Sequence, residues 1–459
     1  MGLQAVYAAY GIIRMDLLHP VITKKSLLLV VATHLPAFAA AIFVFGLFLG
    51  EMSLSDFAYA ALLLLTIDIL LPTWVALAIL LFQPLTIWQK NRILAKAAAI
   101  INQRPGLITI AISGSFGKSS TKELLAAILS QKFNVLKTPA NINTEIGVAR
   151  TIINDLKPEH RIFVCEIGAV HKGRIKQVAS AVKPKIGILT GINQQHLGMF
   201  GSQQKIIEGK YEILEALPES GTAILNWDSR LARENFESQK SRIKAKNIIL
   251  CGKDIFATDI RAGIDNLSFV VHWQSQSAPV KTNARGAFMA GPILLAISGA
   301  LAASMDLEEI ARILDQTDFT PFNVGVGKNS AGINIISSTY SSNPDGVMAH
   351  LDYLKLHSGK KVIVMPCLIE LGRSSKEVHR QIGEKIAQAC DLAIITTKDR
   401  FSELKSGALS AGMRPENIVF LDDPRKIASL LGAFLQANDT ILLEGRSPRA
   451  LIETITKLK

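Results

Sequence analysis

Residues 26–50, SLLLVVATHLPAFAAAIFVFGLFLG, contain no formally charged side chain, and residues 57–82, FAYAALLLLTIDILLPTWVALAILLF, contain only Asp68. As a helix, either stretch is long enough to cross a hydrocarbon layer of about 30 Å. Lys24 and Lys25 precede the first stretch, Lys90, Arg92 and Lys96 follow the second, and the connection carries only Glu51 and Asp56. Basic residues flank spans on the cytoplasmic side. The pattern therefore predicts a transmembrane hairpin over residues 1–100, multi-pass in the inner (cytoplasmic) membrane, with both termini and everything after residue 90 inside. Two buried helices of a soluble domain are the alternative. A cleaved signal peptide fits worse, because the apolar stretch is too long and starts too late. Asp68 is expected as a hydrogen-bonded carboxyl between helices, or as a functional group at mid-membrane. Residues 3–18 mix apolar and polar positions in the manner of an interfacial segment.

The remaining chain has the composition of a soluble protein. Cys165, Cys251, Cys367 and Cys390 lie far apart without zinc-like spacing, which suits a reducing compartment. Net charge is +12, yet no basic run is interleaved with aromatics, so nucleic acid is not expected as a partner.

From residue 105 onward, short apolar runs alternate with amphipathic helical stretches. LITIAIS (107–113), RIFVCEIG (161–168), KIGILTGI (185–192) and TAILNW (222–227) read as strands, and TKELLAAILSQ (121–131) reads as a helix. Such alternation predicts a parallel sheet with helices on both faces. INIISSTY (333–340), KKVIVMPC (360–367), LAIITT (392–397), NIVFL (417–421) and DTILLEG (439–445) form a second series. Residues 291–305 and 306–316 read as helices between them, and residues 317–332 read as a linker. The expected organisation is a hairpin, a P-loop-type ATPase domain over 101–318, and a Rossmann-like α/β domain over 319–459.

GSFGKSS (114–120) follows a strand and opens a helix, the context in which a glycine turn aims backbone N–H groups at phosphate. Gly114, Ser115, Gly117, Lys118, Ser119 and Ser120 are the candidate nucleotide residues. Lys118 would reach the β- and γ-phosphates and Ser119 would offer its hydroxyl to Mg²⁺. The pattern is shorter than a full P-loop motif, and a structural glycine turn is the competing explanation. Glu166 ends a strand, His196 follows another, and Lys210 opens a helix. Each alone reads as a solvated charge or a loop histidine. Strand ends meet at one edge of a parallel sheet, however, and ligands bind there.

GSFGKSSTKE, TPANINTEIGV, CEIG, GINQQHLGMF and GKYEIL together resemble the Mur ligases, nearest the branch that adds D-alanyl-D-alanine. TYSSNPDG (339–346) and LIELGRSSKEVHRQIG (368–383) extend the resemblance, which covers roughly residues 105–459. It implies ATP-dependent amide ligation in peptidoglycan precursor synthesis through an acyl phosphate, with ATP and two Mg²⁺ ions. By that resemblance Lys118, Glu166, His196 and Lys210 are catalytic, and Asn141 joins the ATP site. Ser119, Glu166, His196 and a carbamylated Lys210 hold metal. Asn143, Tyr340, Asn343, Pro344 and Glu370 contact substrate.

Departures accompany it. Phe288 and Pro292 stand where the family has a His and an Asn near adenine. Ser337 and Ser338 replace paired aspartates, and Asn323 and Val324 stand where a linker arginine is expected. The family's opening domain, which recognises a uridine nucleotide, is replaced by the apolar hairpin. The bilayer is therefore expected to present the substrate, a peptidoglycan precursor or other peptide, with a lipid-linked form among the candidates. A polyglutamate or peptide-polymer ligase, and a catalytically weak membrane scaffold, are the competing readings.

Overall fold

The computed structural model describes residues 53–339 and 342–456, together with scattered positions between 27 and 46. Two units divide the chain, residues 1–92 and residues 93–459.

In the first unit the expected span at 57–82 lies within one helix, α1 (Leu54–Asn102), which contains Pro72 and Pro84. The helix runs on past the apolar span, where the Arg-, Leu-, Lys- and Ala-rich residues 92–99 favour the helical state. It is long and apolar enough to cross a membrane. Large apolar side chains from Phe57 to Trp88 are exposed along it, and Arg92 lies over the Trp88 ring at 5.5 Å. Most of the span expected at 26–50, the segment at 3–18 and the Asp68 side chain fall outside the described residues.

The second unit is built on two sheets. The first has the order β2-β3-β1-β4-β5-β6-β7-β8-β9. Strands β1 (Ile108–Ser113), β2 (Val135–Lys137), β3 (Ile162–Glu166), β4 (Ile186–Leu189), β5 (Thr222–Asn226) and β6 (Asn247–Cys251) run parallel. β3 and β4 are buried at every position, as both faces are covered. Helices α2 (Lys118–Leu129) and α3 (Ala290–Ala302) cover one face through Leu124, Leu125, Ile293 and Ile297. Leu94, Ala97 and Ile101 of α1 join Ile175, Ile206 and Tyr211 on the other. An antiparallel meander was not anticipated: β7 (Ile255–Ala262), β8 (Leu267–Trp273) and β9 (Gln276–Thr282). Its alternating burial follows from having one face in water.

The second sheet has the order β10-β11-β15-β12-β13-β14. Strands β11 (Asn334–Ser338), β12 (Lys361–Met365), β13 (Leu392–Ile395), β14 (Ile418–Phe420) and β15 (Thr440–Glu444) are parallel. The segment expected as a linker instead supplies β10 (Gly325–Lys328), antiparallel to β11. Asn283 and Asn323 fasten the connection: Phe319 N donates to Asn283 Oδ1 at 2.7 Å and Asn323 Nδ2 to the Asn283 carbonyl at 2.9 Å.

Candidate active site

The first sheet reverses its winding at β1. The chain leaves β1 for the edge at β2, returns to β3 on one side of β1, then crosses to β4 on the other. A crevice opens beyond the carboxyl ends at such a point. Here it gathers the turn 114–117, the end of β3, and the loop 190–196.

Gly114 adopts φ 154, and a Cβ on it would lie 2.2 Å from Thr190 Oγ1, so only glycine fits. Gly117, at φ 74, caps α2, whose first turn presents Lys118, Ser119 and Ser120. Ser115 N donates to the Gly191 carbonyl at 2.8 Å. The Lys118 ammonium folds back over the turn and donates to the Ser115 carbonyl at 3.3 Å. Burial lowers the pKa of Lys118, and the charge of Glu166 opposes that shift.

Glu166, almost fully buried, ends β3 with both carboxylate oxygens engaged. Ser119 Oγ donates to Oε2 at 2.7 Å, and Asn143 Nδ2 donates to Oε1 at 2.9 Å. Its backbone N–H donates to Thr138 Oγ1 at 3.2 Å. A hydroxyl and a carboxylate side by side are hard oxygen donors of the kind Mg²⁺ takes, so the residues fit that ion. Asn141 sits on the same loop as Asn143 but is exposed, with a left-handed backbone.

Lys210 does not open a helix as expected but lies inside helix α4 (Gln203–Glu215), which Ser202 caps, and it is 1% exposed. Its ammonium donates to the Ala169 carbonyl at 3.1 Å and stands 5.8 Å from the Phe200 ring centre. Burial, reinforced by the Lys118 charge and opposed by Glu166 and Glu212, brings its pKa down to about 7. His196, at φ 65, turns its imidazole toward Glu370, with Nδ1 and Oε2 2.5 Å apart. Burial lowers its pKa, the Glu370 hydrogen bond opposes this, and the charges of Lys210 and Lys118 lower it further. Lys118, Glu166, His196 and Lys210 thus share one electrostatic environment, and the neutral imidazole is favoured.

The second sheet adds residues from its carboxyl end. Asn343 caps helix α5 (Pro344–Leu354), accepting from Gly346 N at 3.1 Å, and Pro344 occupies the first helical position. Tyr340 lies outside the described residues. Phe288 packs edge-on against His350 and Tyr353 of α5, with ring centres 5.3 and 6.3 Å away. Pro292 lies in the first turn of α3. Arg285 reaches the Val324 carbonyl at 3.4 Å, in the region where the expected linker arginine is missing. Ser337 Oγ lies 3.4 Å from Thr339 Oγ1.

Three residues of the site went unremarked in the sequence. Thr138, Lys122 and Asn193 lie within TPANINTEIGV, GSFGKSSTKE and GINQQHLGMF. Lys122, fully buried, donates to the carbonyls of Thr138 at 2.9 Å and Pro139 at 3.3 Å. A lysine in register with Leu125, Ala126 and Leu129 on the buried side of the helix was the available signal.

Comparison with known families matches residues 112–300 to the Mur ligase middle domain and residues 325–447 to the Mur ligase glutamate ligase domain. The chain belongs to the Mur ligase family. It is 30% identical to the UDP-N-acetylmuramoyl-tripeptide--D-alanyl-D-alanine ligase of Synechocystis over 79% of this chain and 76% of that protein. MurF from Acinetobacter baumannii superposes with a TM-score of 0.71 at 27% identity, covering 80% of this chain and 79% of that one. MurF from Thermotoga maritima, solved with ADP, matches in fold with a TM-score of 0.68 at 24% identity, over 80% and 83% of the two chains. This Mur ligase is an ATP-dependent enzyme of a family that uses Mg²⁺.

Proposed function

We propose that this Mur ligase adds D-alanyl-D-alanine, or a closely similar amine, to the peptide carboxylate of a muramoyl-tripeptide. The observation that carries the reading is the convergence of Lys118, Ser119, Glu166, His196 and Lys210 at the switch point, facing Glu370 of the second sheet. The similarity to D-alanyl-D-alanine ligases supports the substrate pair.

In this reading residues 101–318 form the ATP-binding domain, residues 319–459 form the domain that delivers the amine, and residues 1–100 form the membrane hairpin. A carboxylate oxygen of the acceptor attacks the γ-phosphorus and the bond to ADP breaks. The amine nitrogen then attacks the acyl carbon, the bond to phosphate breaks, and the amine proton leaves. Lys118 and the backbone N–H groups of 114–120, with Asn141 beside them, hold the triphosphate as charge shifts toward the leaving ADP. Ser119 and Glu166 would hold one Mg²⁺. His196 and Lys210, as its carbamate, would hold a second, and the ions supply charge neutralisation when bound. The lowered pKa of Lys210 supports carbamylation, because only the neutral amine reacts with CO₂. Asn143, Asn343, Pro344 and Glu370 would contact the substrates, and the resemblance assigns Tyr340 to the same role.

The hairpin reading rests on the apolar, exposed course of α1 and on a hydrogen bond from Trp74 Nε1 to the Ala32 carbonyl at 3.2 Å, joining the two apolar stretches. It places the enzyme in the inner membrane, where a lipid-linked precursor is an alternative acceptor to the soluble nucleotide form.

The test is amine-dependent phosphate release by detergent-solubilised protein. It is given ATP, Mg²⁺, and either soluble UDP-linked or lipid-linked tripeptide, with D-alanyl-D-alanine or L-glutamate as the amine. Release only with D-alanyl-D-alanine, reduced about 10²–10³-fold in Lys118→Ala, supports the reading. Release only with glutamate, or none in the wild type, refutes it.

A further inference from the structure

We infer that Asn193 is a positioning residue that couples the nucleotide loop to the amine-delivering sheet, an inference that rests on the ligase reading above. Asn193 is 8% exposed and lies three residues before His196 on the loop after β4. Its backbone N–H donates to Ser115 Oγ at 3.2 Å, so its position follows that of the phosphate-binding turn. Its side chain points the other way. Nδ2 donates to Asp345 Oδ2 at 2.6 Å and lies 3.5 Å from Asn343 Oδ1, both at the start of α5. Its Oδ1 accepts from Gln195 N at 2.9 Å, which fixes the orientation of the amide: the nitrogen must face the carboxylate.

One residue therefore touches the turn that cradles ATP and the helix start that carries Asn343. The short helix that follows (Leu197–Phe200) adds a parallel contact, Gly198 N to the Glu370 carbonyl at 3.3 Å. The Asn193 amide meets two side-chain oxygens at the start of α5, and Asn343 Oδ1 is itself held by Gly346 N at 3.1 Å, so a displacement of Ser115 is passed to α5. The consequence is specific. The second sheet is held over the acyl carbon only while the turn is in place, so the amine, and not water, captures the acyl phosphate. When the coupling fails, water oxygen attacks the same carbon, the bond to phosphate breaks, and the starting carboxylate returns with its protons released to solvent.

The readout is the ratio of phosphate released to amide formed, with ATP, UDP-linked tripeptide and D-alanyl-D-alanine as probes. Asn193→Asp sets a carboxylate against Asp345, and the ratio is expected to rise about tenfold, the loss of a charge-assisted hydrogen bond. The KM for the amine rises while that for ATP changes little. Adding Asp345→Asn to the same chain restores donor and acceptor in exchanged places, because the carboxylate introduced at position 193 still accepts from Gln195 N, and the ratio returns toward wild type. Thermal unfolding of each variant shows whether it is folded. A near-wild-type ratio in the single variant overturns the inference, as does a folded double variant that stays uncoupled. A wild type with no amine-dependent release would instead overturn the ligase reading itself, so the two failures are distinguishable.

Discussion

His196 of the first sheet and Glu370 of the second meet at 2.5 Å, each on a residue whose backbone is left-handed, at φ 65 and 66. Neither conformation suits an ordinary L side chain, so two separately strained loops are held to make one contact across the crevice. The pair has a titration consequence. Glu370 raises the imidazole pKa against a burial effect that lowers it. Replacing Glu370 with Gln removes the anion that favours the protonated ring, so the His196 pKa is expected to fall further. NMR titration of His196 in both proteins checks this, and an unchanged or raised value would contradict it.

Lys210 gives a pH dependence of activity. Its amine titrates at about 7, against about 10.4 for an ordinary lysine. Lowering the pH through 7 protonates the amine and removes the form that takes up CO₂. Amine-dependent phosphate release is therefore expected to drop below pH 7 and to respond to added bicarbonate above it. A carbamate resonance from ¹³C-bicarbonate that vanishes in Lys210→Met is the direct measurement. Equal resonances in the two proteins would end the carbamate proposal.

Lys122 supports the loop that carries Asn141 and Asn143. With Lys122→Met, the carbonyls of Thr138 and Pro139 lose a buried donor. The expected cost is about 2–3 kcal/mol of stability, read as a lower denaturant midpoint. A higher KM for ATP should accompany it, since Thr138 also holds the Glu166 backbone. An unaltered midpoint would show that the loop does not depend on this lysine.

Phe288 stands where the resemblance calls for a histidine near adenine, and its ring is spent on His350 and Tyr353 instead. Phe288→Ala is expected to cost about 1–3 kcal/mol through two lost edge-to-face contacts, measured by calorimetry. A loss confined to ATP affinity, with stability intact, would mean that the ring serves the nucleotide and not the junction between sheets.

Local pattern carried much of this molecule. The central parallel strands of both sheets were legible because a strand buried on both faces reads as a short run of apolar residues, as in Ile162–Glu166 and Ile186–Leu189, whereas β2 and β6, partly exposed, were not anticipated. The glycine turn was legible because Gly114 and Gly117 answer to backbone constraints that act within a few residues. The meander β7–β9 was not, since half of each strand faces water and its polar residues read as loop. The edge strand β10 was missed for a related reason: its glycines signal a turn until β11 offers a partner.

Composition and spacing alone determined that this chain would build two α/β layers behind an apolar N-terminal segment, and that its phosphate-type turn would lie between a strand and a helix. Burial preference and glycine geometry are properties of the local chain. Only the tertiary structure decided that Ser119 and Asn143 share the carboxylate of Glu166, that Asn343 caps a helix and touches Asn193, and that Glu370 comes to His196. Those contacts join residues up to 174 positions apart. They depend on the order in which strands enter a sheet and on how two sheets face each other, and no short-range pattern encodes either.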